Sequence, residues 1–150
     1  MKIREAKEEE LDFLVELWYE SSCQSHHFIA AAYWEENKAL MRTLYLPLSY
    51  NLVIGDCDGF ISMMGNEINA LFISPAQINK GLGTALVEWV KKENDTLTLN
   101  VYAQNKHALQ FYEKMGFVLG ETSIDEAIGE KQYRMMWEKG KSKIEKGGST

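Results

Sequence analysis

The chain has 150 residues, enough for one domain that buries about two-thirds of its unfolded surface. Its 45% apolar and 25% charged residues are those of an ordinary globule; no apolar run approaches the ~20 residues of a membrane span, and two cysteines are too few for a disulfide framework. A formal net charge of −6 and a pI near 5.1 argue against a nucleic-acid surface, which needs a basic patch, and leave room for a cationic substrate such as an amine.

Residues 2–6 read as a first strand, and the opening residues lack the apolar core of a signal peptide, which predicts a cytoplasmic location. Residues 8–20 read as a helix with Leu11, Leu14, Val15 and Trp18 on one face and carboxylates in the first turn. A loop is expected over Ser21–Ser25. A second helical region follows from Phe28 to Tyr45, with Trp34, Met41, Leu44 and Tyr45 at compatible spacing and Pro47 as its stop. From Tyr50 the pattern becomes a three-strand meander: residues 51–55, residues 60–64 after the turn dipeptide Asp58-Gly59, and residues 67–73 after Gly65-Asn66.

Pro75 ends that run, and from Leu82 the apolar positions Leu82, Ala85, Leu86, Trp89 and Val90 mark a helix closed by Lys91 and Lys92. Gly81 and Gly83 stand at its opening turn. A helix N-terminus presents unpaired N–H groups and the positive end of the dipole, and glycines let a phosphate approach bare backbone, with Lys80 adding charge. The same glycines also suit a plain turn into a core helix. The string fits neither the P-loop nor the dinucleotide fingerprint, whose third small residue is replaced here by Leu86.

Residues 96–102 alternate as a strand, and Asn105 to Met115 read as a helix with Ala108, Phe111, Tyr112 and Met115 on one side and Gly116 as its stop. Phe117–Leu119 begins another strand, Glu121–Glu130 is expected as a loop, and Lys131–Trp137 as a last strand, an exposed edge suited to a dimer. The organisation expected is therefore one domain over residues 1–137 and a polar, disordered tail over residues 138–150. Strand–helix–strand around the glycine turn implies a parallel pair beside the antiparallel meander, hence a mixed sheet.

Three features combine at Asn105. The turn Ile78-Asn79-Lys80-Gly81-Leu82-Gly83, the string Asn105-x-x-Ala108-x-x-x-Tyr112-x-x-x-Gly116-Phe117 and the element order together resemble the GNAT superfamily of acetyl-CoA-dependent N-acetyltransferases. Closer still, the segment His26-His27-Phe28-Ile29 is similar to one in small bacterial GNAT proteins of uncertain substrate. The departure is Ile78, where many members carry Gln or Arg.

The resemblance implies an α/β fold with a mixed, mostly antiparallel central sheet, a splayed parallel strand pair and about four flanking helices. It also implies acetyl-CoA as cofactor. The backbone of Leu71, Phe72 and Ile73 would pair with the pantetheine arm. The amides of Asn79, Lys80, Gly81, Leu82, Gly83 and Thr84 would hold the pyrophosphate, and Asn105 would bond near the pantetheine. Tyr112 would protonate the departing thiolate, which the neighbouring reference pKa values of phenol and thiol permit; by its helix face alone it is a core tyrosine. Glu67 is a candidate base or a solvated strand-end charge. His26, His27, Phe28 and Trp34 are candidates for the acceptor pocket, Trp34 also serving as ordinary packing. With Cys23, the histidines match no zinc spacing, so no metal is expected.

The function implied is transfer of acetyl from acetyl-CoA to a primary amine, of a protein lysine or a small molecule, by direct attack; the alternative is a non-catalytic acyl-CoA-binding sensor of the same fold. A monomer or homodimer without nucleic-acid or membrane partners completes the expectation.

Overall fold

A computed structural model describes residues 2–140. Two compact units divide it, one running up to Glu88 and the other starting at Trp89. Both are antiparallel sheets dressed with helices, so the α/β class and mostly antiparallel pairing expected from the sequence are what the described residues form. The expected tail lies outside them from residue 141 onward; Glu138 belongs to the last strand.

The first unit opens with β1 (Ile3–Glu5), a 3-10 turn at Glu8–Glu10 and α1 (Leu11–Ser25). Glu10 fixes this start: its carboxylate accepts from both Arg4 guanidinium nitrogens at 2.9 and 2.7 Å and from the Lys7 amide at 2.8 Å. α1 runs through the expected loop at Ser21–Ser25. Ser21 and Ser22 are buried on the face that carries Leu14 and Trp18, and His26 donates its backbone N–H to the Ser22 carbonyl at 2.9 Å. Serine costs a helix only a few tenths of a kcal/mol against most residues, and burial of that face overrides it.

The second helical path begins at Ala31, with Phe28 in the preceding turn. It consists of α2 (Ala31–Glu36), α3 (Lys38–Leu40), a π-helical turn (Met41–Tyr45) and α4 (Leu46–Leu48). Pro47 lies inside α4 rather than ending the path. The wide turn puts buried residues five apart, at Met41 and Leu46, and turns Leu44 and Tyr45 outward at 41% and 46% exposure.

The meander β2 (Tyr50–Ile54), β3 (Gly59–Met64) and β4 (Glu67–Ile73) follows, with β1 added outside β2. Its first turn takes positive φ at Gly55 and Cys57, not at Gly59. Gly59 is a strand residue opposite Ile73, whose Cδ1 would lie 2.5 Å from any Cβ placed there. β3 and β4 slip by one residue at Asn69. Asn51 and Ser62 face each other inside the sheet: Ser62 donates its hydroxyl to the Asn51 side-chain oxygen, and the Asn51 amide donates to the Leu46 carbonyl at 2.8 Å, fastening α4 to β2. Leu14, Leu46, Leu52, Val53, Ile54, Phe60 and Ile61 close the core of this unit.

Helix α5 (Leu82–Glu93) spans the junction. Its buried stripe is Leu82, Leu86, Val87 and Val90, and the expected core residue Trp89 lies at the rim, 38% exposed.

The second unit holds β5 (Thr96–Tyr102), α6 (Lys106–Lys114), β6 (Val118–Asp125) and β7 (Glu130–Glu138), in the spatial order β5-β7-β6. Of the segment expected as a loop at Glu121–Glu130, residues 121–125 belong to β6 and Glu130 opens β7, with a turn only at residues 126–129. An edge strand exposed on both faces needs no alternation of apolar residues, so its Gly, Glu, Thr and Ser read as loop. The expected edge at Lys131–Trp137 is β7, paired on both sides, so the edge is β6 instead. Leu97, Leu99, Phe117 and Met135 form the centre of the unit's core.

Candidate active site

In the first unit, β4 gives way to a 3-10 turn at Pro75–Gln77 and then to the glycine turn. Two residues there take the left-handed conformation, Asn79 at φ 68° and Gly81 at φ 79°; asparagine and glycine adopt it at least cost. A Cβ at Gly81 would meet nothing within 4 Å, so the turn is open to solvent above that residue. The first helical bond of α5 runs from the Ala85 amide to the Gly81 carbonyl at 3.0 Å, which leaves the amides of Leu82, Gly83 and Thr84 without an acceptor inside the helix. Gly83 therefore works in the first turn of the helix, and its φ is not positive. Lys80 donates to the Gln77 side-chain oxygen at 3.2 Å, and Ile78 is 48% exposed.

Leu71, Phe72 and Ile73 are half-buried at the end of β4, where Phe72 packs on Phe60 at 6.1 Å between ring centroids. Glu67 lies at the opposite end of that strand, beside the Gly65-Asn66 turn, six residues from Ile73 and so about 20 Å along the chain.

The acceptor-pocket candidates converge on α1. Trp18, Ser22 and His26 recur every fourth residue, and the Trp34 ring lies across them, 5.7 Å from Trp18 and 5.4 Å from His26. Phe28 stacks edge-on to His26 at 5.7 Å, and Tyr33 packs on Trp34 at 5.0 Å. His27 is exposed and stacks edge-on to Phe28, at 5.8 Å. Burial pushes the His26 imidazole down to about 4, so the ring is neutral at pH 7. Tyr33 and Ser22 were missed in the sequence; continuing α1 through Ser25 would have shown the ladder of Trp18, Ser22 and His26. Among the described residues no group of three His, Cys, Asp or Glu is arranged to hold a metal ion.

In the second unit, Asn105 caps α6, its side-chain oxygen accepting the Ala108 amide at 3.1 Å. Tyr112 is buried at 8% exposure, edge-on to Phe111 at 5.0 Å and Phe117 at 5.3 Å, and burial raises its phenol well above the ordinary tyrosine range. The Phe117 amide closes the helix end on the Tyr112 carbonyl at 2.9 Å, and Gly116 turns at φ 96° against the Trp137 ring.

Residues 48–119 match the Acetyltransferase (GNAT) domain. The peptidyl-lysine N-acetyltransferase YiaC of Escherichia coli is 35% identical over 139 residues, 90% of this chain and 95% of that protein. The solution structure of apo YjaB from Escherichia coli superposes with a TM-score of 0.80 at 32% identity, over 91% of this chain and 96% of that one. PaiA N-acetyltransferase from Thermoplasma acidophilum, solved in complex with coenzyme A, shares the fold with a TM-score of 0.74 at 22% identity, over 91% of this chain and 98% of that one. Glycine turn, capped second helix and whole-length likeness agree: the chain belongs to the GNAT family of acetyltransferases, with acetyl-CoA as acetyl donor and an amine as acceptor.

Proposed function

We propose that the protein acetylates the ε-amino group of lysine in other proteins, in the cytoplasm. The similarity to YiaC, a peptidyl-lysine N-acetyltransferase, over nearly the full length of both chains supports this acceptor class, and the net charge of −6 favours a cationic one. That no described helix is long and apolar enough to cross a membrane accords with the compartment.

The observation that carries the cofactor assignment is the turn at Asn79–Thr84, where two left-handed residues precede three amides that α5 does not use. These amides hold the pyrophosphate and Lys80 offsets its charge. The backbone of Leu71, Phe72 and Ile73 pairs with the pantetheine arm, and Asn105 bonds near it from the α6 cap. The amine nitrogen forms its bond to the acetyl carbon as the bond from carbon to sulfur breaks. Tyr112 gives its phenolic proton to the departing sulfur, and Glu67, through water, takes the proton lost by the amine. His26, His27, Phe28 and Trp34 face the acceptor.

Calorimetric titration with acetyl-CoA tests the turn. The wild type should bind saturably, and the double variant Gly81→Asp, Gly83→Asp should lose binding while remaining folded by circular dichroism. Incubation of acetyl-CoA with a lysine-peptide panel, spermidine and an amino sugar, read by mass spectrometry, tests the acceptor. Acetylation confined to the small amines would overturn the protein-lysine assignment. Binding without transfer to any of them would leave the sensor reading in its place.

A further inference from the structure

The edge strand β6 presents a surface apart from the glycine turn, the His26 cluster and Tyr112. Among the described residues it pairs only with β7, and all but its last residue are exposed. Its strand is eight residues long and carries no proline or lysine, two of the devices that keep an edge from pairing.

The register with β7 fixes which side chains share a face. Leu119 pairs with Met135 and Thr122 with Tyr133, so Gly120 and Glu121 together oppose Arg134 as a bulge. Ile124 then pairs with Lys131, two residues on. Leu119, Thr122 and Ile124 therefore lie on one face, although a regular strand would put Leu119 and Ile124 on opposite faces. Leu119 is 47% exposed and Ile124 55% exposed, so both apolar side chains are open to a partner strand.

We propose that β6 is the docking surface for β6 of a second copy of this chain, antiparallel and centred on Thr122. A two-fold axis normal to the sheet places Thr122 opposite itself. With the bulge retained, Leu119 then faces the partner's Ile124 twice, on the same side as the threonine pair, a cross-strand arrangement of matched residues. Glu121 falls opposite Ser123 and Asp125 opposite Val118, so no carboxylate faces another. The neighbouring symmetric registers fail on charge: centring on Ser123 sets Glu121 against Asp125, and centring on Glu121 sets that residue against itself. For a chain of net charge −6 this selects one register. A single strand pair buries little area, so the dimer is concentration-dependent.

The test is light scattering on the full chain across a concentration series. The expected mass rises from 17.2 kDa toward twice that value. Leu119→Lys, Ile124→Lys should hold it at the single-chain mass, while unchanged acetyl-CoA titration shows the fold intact. Register is read separately in a background with Cys23 and Cys57 changed to Ser. Under mild oxidation Thr122→Cys should cross-link to a dimer on a non-reducing gel, and Ser123→Cys should not. A wild type that stays monomeric throughout, a dimer indifferent to both lysines, or equal cross-linking at the two positions would overturn the proposal. So would a chain that dimerises only when cut after Gly140, since that outcome gives the edge to its own residues 141–150.

Discussion

Replacing Tyr112 by Phe separates packing from chemistry at one position. The ring is 8% exposed and sits edge-on to Phe111 and Phe117, and phenylalanine keeps both contacts and almost all of the volume. What is lost is one hydroxyl in a dry site, where carrying it costs about 1–3 kcal/mol unless it is bonded. As a packing residue, therefore, Tyr112 predicts a variant as stable as the wild type or slightly more so, with unaltered turnover. As the proton donor to the leaving sulfur, it predicts a fall in kcat of about 100-fold or more, equivalent to ~3 kcal/mol of barrier, at nearly unchanged acetyl-CoA affinity. Burial holds the phenol protonated across the working range, so its ionisation should leave no descending limb in the wild-type kcat profile up to about pH 10. The assay is release of free thiol at saturating acceptor, with acetyl-CoA affinity by calorimetry and thermal midpoint in parallel. A kcat within about twofold of wild type would remove Tyr112 from the chemistry.

Asn51→Ala removes the acceptor of the buried Ser62 hydroxyl and one of two donors to the Leu46 carbonyl, which keeps its bond from the Ser49 amide at 3.1 Å, and should cost about 1–3 kcal/mol in urea unfolding, of which Ser62→Ala in the same chain recovers about 1 kcal/mol; a loss under about 0.5 kcal/mol would mean the pair does not hold α4 to β2. His26 is held at about 4 in the fold against 6.5 when free, so the unfolded chain binds the extra proton between those values. Its contribution is full above pH 6.5 and is lost as pH falls toward 4, amounting to at most ~3 kcal/mol. His26→Phe should flatten stability over that window, and an unchanged pH slope in the variant would show that His26 does not carry it.

What the sequence made legible is what repeats. Alternation placed Leu97, Leu99 and Val101 on the core side of β5, and fourfold spacing placed Leu14 and Trp18 on the inner face of α1. The glycine turn and the α6 string stood out because positive φ and a side-chain cap each need particular residue types, here Gly81 at φ 79° and Asn105 on the Ala108 amide. The departures fall where the period changes. A helical template over residues 28–45 put Leu44 and Tyr45 inside, because one π turn shifts the buried set to Met41 and Leu46 without any marker in the sequence. In β6, a bulge and two exposed faces erased the alternation on which a strand is recognised.

The site residues raise a different difficulty, visible at Tyr112 and His26. Along the sequence, core and chemistry compete for the same residue, since an aromatic on an apolar face suffices to explain itself by packing. In the fold, that competition dissolves into a single physical cause. Burial between Phe111 and Phe117 is the packing role of Tyr112, and the same burial raises its phenol, which keeps it protonated but makes it a weaker acid than the reference value alone implies. Packing against Trp34 and Phe28 likewise buries the His26 imidazole, lowers it and leaves it a neutral ring at pH 7. A side chain's surroundings, not its spacing, set its proton affinity, so a sequence can nominate such residues but only three-dimensional packing gives them a chemical character.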